Sequence, residues 1–112
     1  MTSRERVLAA IGHTEPDHVP RDLGATPSST ISAIAYNRLV KHAGLACGPA
    51  KIYDVVQQVT QPDDAVLDRY RIDTVDVGRT FNETAAHWKE FPLADGSVCR
   101  AWGTALRSAR LS

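Results

Sequence analysis

The stretch from Thr2 to Pro20, TSRERVLAAIGHTEPDHVP, constrains the fold more than any other part of the chain. Thr2 followed three residues later by Glu5 is a capping box, in which hydroxyl and carboxylate satisfy early amide donors. Val7, Leu8 and Ile11 then form one apolar face at helical spacing, which leaves Arg4 and Arg6 for solvent. Gly12 stops the helix and His13 to Asp17 is a turn. Val19 to Ala25 reads as a short strand, entered through Pro20, which cannot donate to a ladder.

The next signals are equally local. Thr26-Pro27-Ser28-Ser29 opens a helix, with hydroxyls to cap and a proline suited to the first turn. That helix is expected to reach Ala43, with Ile31, Ile34, Ala35, Leu39 and Val40 on one face and Gly44 as its stop. Leu45 to Ala50 is a loop carrying Gly48-Pro49. Tyr53 to Thr60 reads as a short helix or, from its β-branched residues, a strand. Pro62-Asp63-Asp64 starts another short helix whose apolar face is Val66, Leu67 and Tyr70. Ile72 to Val77 alternates as a strand does. The order strand, helix, helix, strand is a crossover unit, which implies a parallel pair. His87 to Leu93 and Ser97 to Trp102 are strand-like arms about Asp95-Gly96, a strong hairpin turn.

The fold class is therefore α/β. The 112 residues, 43% apolar and 23% charged with a net charge of zero, suit a soluble chain with a modest core and carry no electrostatic footprint for nucleic acid. No apolar run suffices for a membrane span and no signal core precedes the first helix. Cys47 and Cys99 form no metal or redox motif, so a reduced, cytoplasmic setting is the expectation.

The opening RERVLAAI helix, the EPDHVP turn and the later run IYDVVQQVTQPDDAVLDRYRIDTVDVGR (52–79) together resemble the uroporphyrinogen decarboxylase family, which includes the related cobalamin-linked methyltransferases. The resemblance covers most of the chain to Arg79 and weakens after it. It implies a (β/α)₈ TIM barrel. Such a barrel takes about 250 residues, so residues 1–112 are expected to be its N-terminal portion: about two parallel strands with helices, plus a C-terminal β-hairpin excursion at about 86–103. It also implies a carboxy-lyase that removes acetate carboxyls from a porphyrinogen without a cofactor. The methyltransferase branch, which uses zinc and a corrinoid, is the alternative; its zinc ligands lie in the second half of the barrel. By itself the N-terminal portion is expected to be inactive. A third reading makes it a non-catalytic fragment that associates with itself through exposed strand edges.

Barrel active sites lie at the C-terminal ends of the strands. The first strand ends in Arg21, Asp22, Gly24, Thr26, Ser28 and Ser29, a hydroxyl-rich helix start that suits a carboxylate or phosphate. The same residue types cap a helix with no ligand at all. True decarboxylases carry an R-Q-A-G-R arginine pair here; LGATPSS has none after Arg21, which argues against uroporphyrinogen itself as substrate. The second strand ends in Asp76, Gly78, Arg79 and Asn82, where the decarboxylases carry F-S-D and this chain reads DVGRTF. Arg79 suits an anion, or a pairing with Asp76, with Asp73 or with the opening helix. The expected substrate-binding set is thus Arg21, Asp22, Thr26, Ser28, Ser29, Asp76 and Arg79, for a small anionic or tetrapyrrole-like ligand. His87 and Cys99, on facing arms of the hairpin, are too few to hold a metal. Trp88 and Trp102 are expected to meet across the hairpin as a structural pair.

Overall fold

The computed structural model describes residues 1–54, 57–77 and 85–102, apart from the side chains of Tyr53 and Ala85. Among these residues the regular elements are α1 (Ser3–Ile11), α2 (Ala33–Ala43), β1 (Ala50–Asp54), β2 (Val59–Gln61), α3 (Asp64–Arg69), β3 (Trp88–Pro92) and β4 (Val98–Trp102). Single 3₁₀ turns lie at Pro27–Ser29 and Ala85–His87. The four strands form one sheet in the order β2-β1-β4-β3. β1 is antiparallel to β2 and β3 to β4, while the central pair β1 and β4 is parallel. The class is mixed α/β, but the sheet is not the one expected.

Val19 to Ala25 and Ile72 to Val77 are not strands. They run side by side as extended segments, and among the described residues one backbone hydrogen bond joins them, from the Asp73 N–H to the Arg21 carbonyl at 2.8 Å. Pro20 offers no donor. The Arg21 N–H is taken by the Asp73 carboxylate at 2.9 Å rather than by a ladder carbonyl. Gly24, at φ 90°, then turns the chain away. The run 53–60 is neither one helix nor one strand: it holds the end of β1, a turn at Gln57 and Gln58 and the start of β2, and the two strands pair with Lys51 opposite Gln61 and Ile52 opposite Thr60.

The hairpin forms as expected. Phe91 stands opposite Cys99 and Trp88 opposite Trp102, and Gly96 takes φ 84° in the turn. The helix expected from Thr26 to Ala43 is broken. Its first turn is the 3₁₀ turn, and residues 30–32 are extended because they bond to β2. The Thr60 N–H donates to the Ile31 carbonyl and the Ala33 N–H to the Gln58 carbonyl. Ser32 then caps α2 and Gly44 ends it at φ 66°. The short helix after Pro62 forms as α3, capped by the Asp63 carboxylate.

α2 packs on β1 and β2. Ala33, Tyr36 and Val40 meet Ala50, Ile52, Val66, Leu93, Cys99 and Ala101 in one small core. Tyr36 is buried, its hydroxyl accepts the Asp63 N–H at 2.9 Å, and burial pushes its pKa up to about 12. Asn37 closes the head of the parallel pair. Its side-chain N–H groups donate to the Val98 carbonyl at 2.9 Å and to the Ser97 hydroxyl, and its carbonyl accepts the Ala50 N–H at 3.1 Å.

α1 corrects the sequence reading. Its capping box is present, but the apolar face is not the buried one: Leu8 and Ile11 are 53% and 70% exposed, while Arg6 is buried. The Arg6 Nε donates to Asp17 at 2.6 Å, one Nη donates to the second Asp17 oxygen at 3.0 Å, and the other pairs with Asp73. The Asp73 side chain is almost fully buried. Electrostatics, not apolar burial, docks this helix. Arg6 holds the Asp17 carboxyl well below the usual range; the Arg21 N–H first, then Ser3 and Arg6, lower that of Asp73 against the opposing effect of burial.

Two outcomes follow. Asn37→Ala leaves the Ala50 donor and the Val98 acceptor unmet, and chemical denaturation should show a loss of about 2–3 kcal/mol. The carboxyls of Asp17 and Asp73 have folded pKa values below the unfolded ones. Their contribution is therefore complete above about pH 5 and drains as pH falls below about 4. The melting temperature should drop steeply over that range. Arg6→Met should lower it at neutral pH by about 5–10 °C and flatten the acid limb. An acid limb unchanged in Arg6→Met refutes electrostatic docking of α1.

Candidate functional site

The two extended segments and the start of α3 enclose a cleft of about 120 Å³. Gly24 and Leu23 form one wall, Thr74 to Asp76 a second, and Gln61, Pro62 and Asp64 the third. Gly24 sets its width. A Cβ there would sit 2.6 Å from the Pro62 Cδ, and the residue's φ of 90° is one that other residues avoid. Its N–H donates to the Ser29 carbonyl, which closes the 24–29 loop on itself.

The structure distributes the expected ligand-binding residues unevenly. The Asp22 carboxylate accepts from the Thr74 hydroxyl and from the Ala25 N–H at 3.2 Å. Burial alone would raise its pKa, but hydrogen bonds from Thr74, Ser29 and Ala25 outweigh that and keep it below the ordinary value. Asp22 thus ties the two segments together as an ionised carboxylate. Asp76 lies in the cleft wall. Arg21 does not: its guanidinium donates to the Tyr70 carbonyl at 3.1 Å in an exposed position. Thr26 and Ser29 close on each other, the Thr26 N–H donating to the Ser29 hydroxyl at 3.1 Å, which is the capping reading of these residues. Ser28 is exposed. Arg79 lies outside the described residues.

The cleft is a site of acceptors. Asp64, Asp76, Gln61 and Thr74 supply oxygens, and none of the lining residues is Lys, Arg or His. Such walls suit ligand N–H and O–H groups, or a cation, better than a carboxylate. His87 and Cys99 do not face each other. Cys99 is fully buried opposite Phe91, with its thiol pushed up by burial, while His87 is exposed and stacked on Trp102 at 6.5 Å. Among the described residues no three His, Cys, Asp or Glu side chains gather as metal ligands. Trp88 and Trp102 are cross-strand partners by register, but Trp88 also takes the Lys51 ammonium over its ring at 4.5 Å.

Sequence reasoning missed a second cleft, of about 260 Å³, where Lys51 and Arg100 stand side by side on the parallel strands. The alternation in VCRAW carried part of the signal, since Cys99 and Ala101 facing the core put Arg100 on the other face. The pairing with Lys51 could not be read, because it joins strands far apart in sequence. No protein-family model, curated protein or solved structure matches the chain.

Gly44 and Gly24, both at positive φ, separate the roles of space and backbone. Gly44, at φ 66°, has nothing within 4 Å of a added Cβ, whereas Gly24 has Pro62 against it. Gly44→Ala should cost about 1 kcal/mol, from the backbone alone, and Gly24→Ala at least about 2 kcal/mol. Equal losses by denaturant titration refute the view that Pro62 sets the width of the cleft.

Proposed function

We propose that this chain is the opening portion of a uroporphyrinogen-decarboxylase-like (β/α)₈ enzyme, in which Val19 to Ala25 and Ile72 to Val77, not paired as strands here, occupy the places of the first two barrel strands. The observation that carries the reading is the surface of those two segments. Val19, Val75 and Val77 are 79%, 68% and 91% exposed although the segments lie against each other. Apolar residues on adjacent extended segments are the material of a barrel wall, covered in the closed barrel by the outer helices or by the packed interior. The ion network supports the same reading. Arg6, Asp17 and Asp73 belong to the RERV, EPD and RID runs that carry the resemblance, and they hold the opening helix to the second segment. Those motif residues are explained as architecture.

The share of the active site contributed here is the cleft beside Gly24. Its carboxylates and hydroxyl accept hydrogen bonds from the substrate. For the carboxy-lyase reading the arginines that hold substrate carboxylates have to come from elsewhere in the barrel. The lack of any cation in the described walls favours the second reading, a methyltransferase of the same superfamily acting on a small acceptor. In that branch zinc and a corrinoid supply the methyl-transfer chemistry. The described residues offer no ligand set for the metal, and the role assigned to this chain is binding and orientation by its own side chains.

An exposed barrel wall makes the isolated chain self-associate. Size-exclusion chromatography with light scattering should show oligomers. Val19→Asp combined with Val77→Asp should shift them toward monomer without lowering the melting temperature, because both side chains are exposed. Incubation with uroporphyrinogen should give no decarboxylation above buffer, since a barrel site draws on several strand ends. A monodisperse wild-type monomer with a sharp melt, or turnover by these 112 residues, overturns the barrel reading.

A further inference from the structure

On β4, Cys99 and Ala101 are sealed in the core and Arg100 points to the opposite face. Register places it between Lys51 on β1 and Glu90 on β3. Two adjacent cations on neighbouring strands repel each other. The evident remedy, a cross-strand pair with Glu90, is not made. Among the described residues the Arg100 guanidinium has no hydrogen bond or ion pair, and its Nε is shut off from solvent without a partner. The head group turns instead toward Gly48. A Cβ on residue 48 would come within 3.0 Å of one Nη and 3.4 Å of Cζ. Gly48 does not have a left-handed φ. Its lack of a side chain therefore serves space, and the space admits the guanidinium.

The cleft that the guanidinium enters is also walled by Lys51, Tyr36, Gln61, Asp63 and Asp64. A partly desolvated arginine without a counter-charge is unfavourable, and a planar fork of donors matches a carboxylate. We propose that this cleft is an anion site that takes the carboxylate of a small monoanion on Arg100, with Lys51 beside it. Asp63 and Asp64, which line the same cleft, limit the charge it accepts. One Asp63 oxygen is already committed to the Ala65 N–H, but both carboxylates repel a dianion such as phosphate. The site adjoins the Gly24 cleft at Gln61, Pro62 and Asp64 but is centred on Arg100, and it does not depend on the barrel reading.

The test titrates the chain with sodium acetate against sodium chloride at constant ionic strength. It follows melting temperature and the NMR amide resonances of Gly48 and Lys51. Acetate should give a saturable response in the millimolar range that chloride does not, with inorganic phosphate at neutral pH binding more weakly. Arg100→Met keeps the aliphatic stem and should abolish the response while leaving the melting temperature equal or higher, because it removes an unpaired charge. Gly48→Ala crowds the guanidinium and should weaken acetate several-fold. No saturable acetate response overturns the proposal, as does a response kept in Arg100→Met or phosphate binding tighter than acetate. A lower melting temperature in Arg100→Met also overturns it, since a carboxylate of the protein itself would then be the partner.

Discussion

Asn37 holds the sheet together. Without it the molecule is two antiparallel hairpins, β1–β2 and β3–β4, joined by a parallel seam of only two paired positions, Ala50 with Cys99 and Lys51 with Arg100. Short parallel pairings between distant segments are entropically expensive and gain little per residue. Asn37 extends the seam by acting as an extra rung. One side-chain amide donates to β4 and accepts from β1, which a hydrophobic residue at that helix position cannot do. The core then assembles under α2, and the outer face of the same seam brings Lys51 and Arg100 together.

Local chemistry was legible wherever one residue type solves one backbone problem. The capping box of α1, the Asp63 cap of α3, the Gly44 stop and the Asp-Gly turn satisfy donors and acceptors a few residues away, so spacing alone reveals them. Long-range choices were not legible. Arg6 looked like a solvent residue because its partners, Asp17 and Asp73, lie 11 and 67 positions away. The periodicity of Val7, Leu8 and Ile11 promised a buried stripe. Two of those side chains are exposed because the ion network turns the arginine inward.

The candidate site shows the same division. The cap at Thr26 and Ser29 could be read, and the structure gives those hydroxyls to each other. The fate of Arg21 could not, since the Tyr70 carbonyl that draws its guanidinium away belongs to the end of α3. The two extended segments have a β pattern in sequence, yet side chains compete for the amides a ladder would use. Asp73 takes the Arg21 N–H and Asp22 takes the Thr74 hydroxyl, so the segments are pinned together by carboxylates at the point where pairing would otherwise propagate.

The two clefts divide the charge of a neutral chain. The one beside Gly24 has acceptors and no cation, while the one beside Gly48 has two cations facing two carboxylates that form no ion pair with Arg100. Both are shaped by a glycine against which another side chain packs, Pro62 at Gly24 and Arg100 at Gly48. They share Gln61, Pro62 and Asp64, so the start of α3 forms a wall of each. The position of α3 is in turn fixed by Val66 in the core and by Tyr36, whose hydroxyl accepts the Asp63 N–H. The start of α3 is therefore common to a hydrogen-bond-accepting cleft and a cationic one, and it is held from the core side by one buried valine and one tyrosine hydroxyl.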